Sequence, residues 1–222
     1  MNSKTKKLVG VGLLTTIVFV LQFLGGGIKF GMFSISLVLV PIVVGAAVYG
    51  WQAGAWLGFM FGVVVLLSGD AAVFLTIDAL GTVLTVLLKG AAAGLCSGLV
   101  FKLVMTILSH VSRRAIHSMK DKHGLGACCE NGVYDYISRN NRYFAVIAAA
   151  VVCPIVNTGV FLLGCQVFFL ETISGWGAAA GFESATSYMF LGLAGVNFLI
   201  ELAVNILLAP VIVRLIKIKA KN

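Results

Sequence analysis

The chain has 222 residues, of which 60% are hydrophobic and 11% charged, and its net charge is +8. A soluble domain carries about a quarter charged residues, so this composition excludes one and indicates an integral membrane protein. The apolar runs are long and do not alternate with period two, which excludes a spanning β-barrel and leaves membrane helices.

Residues 1–7 are polar and basic, and an apolar run over 8–24 follows. The run is longer than the apolar core of a secretory signal. The Gly25–Lys29 stretch after it, Gly-Gly-Gly-Ile-Lys, is no cleavage site, so it is read as a retained first span. Gly12 and Thr16 give it a small-xxx-small pair, and Gln22 lies near its outer end. A glycine-rich outer loop over 25–34 contains Lys29. The second span, 35–49, holds Pro41, and a tight turn at Gly50-Trp51-Gln52 leads into the third, 53–67. Gly50, Gly54, Gly58 and Gly62 recur every four residues, a stripe that lets another helix approach closely.

Asp70 sits in the next outer loop, and the fourth span covers 77–99. Asp78, Thr82, Thr85 and Lys89 fall at i, i+4, i+7 and i+11, one helix face. Gly90, Gly94 and Gly98 form a second small-residue stripe on the same span. Residues 109–142 read as a polar, basic cytoplasmic loop, with turns at 124–126 and at Asn131-Gly132, lying against anionic headgroups or a partner. The fifth span, 143–169, contains Cys153-Pro154 and then Asn157-Thr158. An outer loop over 171–187 carries Glu171, Trp176 and Glu183. On the sixth span, 188–215, Asn197, Glu201 and Asn205 share a face, and Pro210 lies near its inner end.

Only Lys29 and Lys89 lie outside the basic clusters at 4–7, 102–142 and 214–221. That asymmetry places both termini in the cytoplasm and gives an all-α membrane protein, one domain over 1–222 with six transmembrane helices, in the cell membrane. It also reads the +8 charge as topology, with the lipid bilayer as partner and no nucleic acid. Five cysteines make no recognisable motif. Cys128-Cys129 near His110, His117 and His123 fits no zinc spacing, so no metal or cofactor is expected. No phosphate loop, zinc-protease motif or nucleophile elbow occurs, and no enzymatic role is expected.

Charge at membrane depth is costly and marks a pathway, a ligand or a partner. Thr82, Thr85, Lys89, Asn157, Thr158, Asn197 and Glu201 either form an interhelical network, with Lys89 and Glu201 paired, or line a solute cavity; the first can floor the second. Lys29, Asp78 and Trp176 lie nearer the outer face and join them as candidate substrate-binding residues, with aromatics expected around a small-molecule site.

The run 34–58 carries Pro41-Ile42-Val43-Val44-Gly45-Ala46, then the turn at Gly50 and the Gly50, Gly54, Gly58 repeat. It resembles the second and third helices of the S components of energy-coupling factor (ECF) transporters, the substrate-capturing subunits of micronutrient importers. The resemblance implies a vitamin-like small-molecule ligand bound near the outer face under the outer loops. It also implies docking on a transmembrane scaffold subunit and two ATPase subunits that supply the energy. Docking in that family uses paired alanines on the first helix, and Gly12 and Thr16 stand at the matching positions. Two further readings remain open: an autonomous ion-coupled carrier with Asp78 or Glu201 carrying the proton, and a membrane scaffold or assembly protein.

Overall fold

The computed structural model describes residues 3–25, 29–30, 33–34, 37–123 and 127–221. Helices dominate: α1 (Ser3–Gly25), α2 (Leu39–Tyr49), α3 (Trp51–Ser68), α4 (Ala72–Leu75), α5 (Ala79–His123), α6 (Ala127–Phe168), α7 (Leu170–Ala179), α8 (Ala185–Ser187) and α9 (Gly195–Lys221). A π-helical stretch, Tyr188–Ala194, joins α8 to α9. Before α2, the two-residue strands β1 (Lys29–Phe30) and β2 (Phe33–Ser34) pair antiparallel.

Five helices are long and apolar enough to cross a bilayer: α1, α3, α5, α6 and the α8–α9 run. The crossing expected over 35–49 is helical only over the eleven residues of α2. At 1.5 Å per residue that is about 16 Å, roughly half of a 30 Å hydrocarbon core. Its residues from Leu39 to Ala46 are nearly all buried, so α2 forms the centre of the bundle and its neighbours meet the lipid. Leu80, Leu84 and Leu88 on α5 and Leu8, Leu13 and Phe23 on α1 are exposed. Outward-facing apolar side chains are what a lipid solvent requires.

α5 packs most extensively against α6 and α3. The two glycine stripes meet face to face: a methyl on Gly54 would touch the Gly94 carbonyl oxygen at 2.5 Å, and one on Gly58 would strike that of Gly90. No branched side chain fits a crossing this close. Ser97 Oγ on α5 donates to the Ala149 carbonyl on α6 at 3.2 Å, a polar tie where apolar packing alone gives little preference.

Two expectations are corrected. Residues 109–142 are not an irregular loop: α5 continues to His123 and α6 begins at Ala127, with Asn131-Gly132 inside it. The turn expected at 124–126 lies outside the described residues, as do the side chains of His117, His123, Cys128 and Cys129. Polarity was mistaken for irregularity, although a helix that leaves the membrane needs no apolar run. At 45 residues, α5 is about 68 Å long, well over twice the hydrocarbon thickness. Likewise the segment 171–187 is mostly helix, in α7 and α8.

Candidate functional site

The end of the bundle opposite the α5–α6 extension contains a cavity. Its wall comes from the end of α1 (Gln22), α3 (Phe61, Val65), the start of α5 (Thr82, Thr85, Lys89), late α6 (Asn157, Thr158, Phe161) and early α9 (Asn197, Phe198, Glu201). About 80 Å³ is open to the centres of water molecules, against roughly 10–15 Å³ needed for one, so a small polar solute has room.

Phe74 on α4 is the centre of the cavity's aromatic cover. Its ring meets those of Phe161, Phe169 and Trp176 nearly edge-on, at centroid distances of 5.9, 5.1 and 5.8 Å. Cys165, Ile173, Met189 and Leu193 pack around it. The π-helical stretch delivers Leu193 and Ala194 to the wall. A π turn adds a residue per turn and re-aims side chains, and such turns concentrate at functional sites.

Lys89 reaches into the cavity with its Nζ 5.2 Å from the centroid of Phe161 and 5.9 Å from that of Phe61. Cation–π attraction offsets part of the lost hydration. The Glu201 carboxylate acts on the ammonium, and that of Asp70 acts more weakly. Asp70 is itself held: Gln22 Nε2 donates to its Oδ2 at 2.6 Å, and Ser68 Oγ does so at 3.0 Å. Gln22 is 2% exposed, so this bond joins α1 to the α3–α4 connection. Asn205, one turn beyond Glu201, donates to the Glu201 carbonyl at 2.8 Å. Two buried oxygens in the wall, the Thr85 hydroxyl Oγ1 and the Asn157 amide Oδ1, have no hydrogen-bond partner. Buried polar atoms in folded proteins are nearly always paired, so an unpaired set in a cavity wall is where a ligand or water is accommodated.

The seven mid-membrane candidates, Thr82, Thr85, Lys89, Asn157, Thr158, Asn197 and Glu201, converge on this cavity. Trp176 is not in the wall and meets Phe74 edge-on behind it. Asp78 has a structural place: its Oδ1 accepts from the Gly81 amide at 3.0 Å, capping the start of α5, and its carbonyl accepts from Thr82 Oγ1 at 2.6 Å. We expect Asp78→Ala to destabilise the protein by about 0.5–2 kcal/mol, the range for loss of an N-cap, while ligand affinity stays unchanged. A thermal melt and a titration on the same preparation check both halves. Lys29 is on β1, and its side chain lies outside the described residues. Sequence reasoning left Gln22 out of the binding set and did not connect Asp70 to Gln22. The signal for Gln22 was a polar residue near the end of an apolar span.

The family model for the substrate-specific component of ECF transporters matches residues 6–213. The chain belongs to that family. Searches of curated proteins and of solved structures give no match. As an ECF substrate-specific component, the chain is a multi-pass membrane transport protein. Membership implies a transported substrate and an energising scaffold and ATPase module as partners. Among the described residues of this S component, the cavity is a partly open space lined by polar and aromatic side chains.

Proposed function

We propose that the protein captures a vitamin or related micronutrient in this cavity from the outer face of the cell membrane and hands it inward while docked on a separate scaffold and two ATPase subunits. The carrying observation is the convergence of Thr82, Lys89, Asn157, Asn197 and Glu201 from three helices on one cavity beneath an aromatic cover. Basic residues at Lys4, Lys102, Arg113, Arg142 and Arg214 belong to the opposite end, which supports six crossings with cytoplasmic termini and an outward cavity. In that topology α2 serves as the short sixth crossing. Gly12 and Thr16 are exposed on α1, and a methyl at Gly12 would meet nothing within 4 Å, which supports a flat, small-residue docking face there.

The test is titration of the purified chain with a micronutrient panel in the absence of ATP. One compound should bind, and Asn157→Ala should weaken it roughly three- to tenfold, the value of one hydrogen bond. No binding across the panel, or gradient-driven uptake into liposomes by this chain alone, overturns the reading.

A further inference from the structure

We infer that the ligand of this cavity is a small ring compound rich in hydrogen-bond donors, neutral or singly cationic, and not a carboxylate or phosphate. The inference rests on the capture reading and narrows its chemistry.

Among the described residues the charges in the wall are Lys89 against Asp70 and Glu201. With all three ionised they sum to one net negative charge. A carboxylate only accepts hydrogen bonds, so the sign of this balance does not depend on how any amide is oriented. Lys89, the one cation among the described residues of the lining, is already engaged by the chain: two phenylalanine rings contact it, and Glu201 and Asp70 act on it. An anionic ligand would have to compete with Glu201 for Lys89 and would meet Asp70 besides. Like charge in a site of low polarity is unfavourable at close range.

A neutral group points the same way. Asn157 is 6% exposed and its Oδ1 is without a partner, whereas the unpaired Thr85 hydroxyl can donate or accept and does not discriminate. Asn157 Oδ1 can only accept, so it calls for an N–H or O–H on the ligand. Phe74 and Phe161 supply the apolar faces and edges against which a planar ring packs. Such a ligand presents N–H groups to acceptors and a flat body to the aromatic cover.

Three planar probes of equal size separate the possibilities: benzamidine (cationic), benzamide (neutral) and benzoate (anionic), titrated into the purified full chain. Benzamidine and benzamide should bind at least about tenfold more tightly than benzoate, given one net negative charge in the wall. Asp70→Asn keeps the hydrogen-bonding shape but removes a charge, and should narrow the benzamidine-to-benzoate ratio by about tenfold. Asn157→Leu should weaken benzamide, which places binding in the cavity. Benzoate binding as well as benzamidine and weakened by Asn157→Leu overturns the inference while leaving the capture reading intact. So does a ratio unmoved in Asp70→Asn. Failure of all three probes also overturns it, but leaves the capture reading standing as long as a compound of the micronutrient panel binds.

Discussion

Gly58→Ala should lower the thermal unfolding midpoint of the purified protein sharply, whereas Gly12→Ala should not. Both changes add the same methyl to a helix, and helix propensity alone favours alanine by about 1 kcal/mol. The environments decide the sign. At Gly58 the new carbon would strike the carbonyl of Gly90, backbone in the middle of a long helix that cannot rotate aside. The helices must separate, and the neighbouring pairs Gly54 with Gly94 and Gly62 with Val86 lose their contact as well. Overpacking of this kind costs about 1–3 kcal/mol. At Gly12 nothing lies within 4 Å of the added carbon. Equal melting points for the two variants would show that α3 and α5 do not cross where the structure places them.

The second large effect concerns Glu201. Glu201→Ala leaves the Lys89 ammonium among Phe61 and Phe161 with the weaker field of Asp70 as its remaining anionic counterweight. Leaving a buried cation without the carboxylate that acts on it most strongly costs about 3–5 kcal/mol, and we expect the low end because Asp70 still acts on the cation. Adding Lys89→Met to Glu201→Ala removes the stranded charge, so the double variant should be more stable than Glu201→Ala alone. Chemical or thermal denaturation of the four proteins gives the coupling directly. If the losses simply add, the two residues are independent and the account of the cavity floor is wrong.

The sequence made the helices and their polar faces legible for a simple reason. Lipid enforces long apolar runs, so each polar residue inside one is conspicuous. Lys89, Asn157 and Glu201 could be singled out before any contact was known. The glycine spacing likewise announced close packing, and the run from Pro41 to Gly58 carried the family resemblance. Asp78 shows the limit: at the same helical register as Thr82 and Lys89, it caps the helix they project from. Spacing reports the face of a helix and is silent on where along it the helix begins. The segments 109–142 and 171–187 were misread as loops because outside the membrane polarity no longer distinguishes helix from coil.

The sequence by itself determined that this chain lives in lipid, which stretches are helical there, and which residues are too polar to face hydrocarbon. Only the tertiary structure decided that Gln22 is joined to Asp70, that the glycines of α3 lie on those of α5, and that the described lining holds two carboxylates against one ammonium. The physical reason is range. Transfer from water to lipid acts on each residue separately and leaves its mark on local composition. A cavity is made by groups more than a hundred residues apart, and its charge is a sum over helices that no single stretch contains.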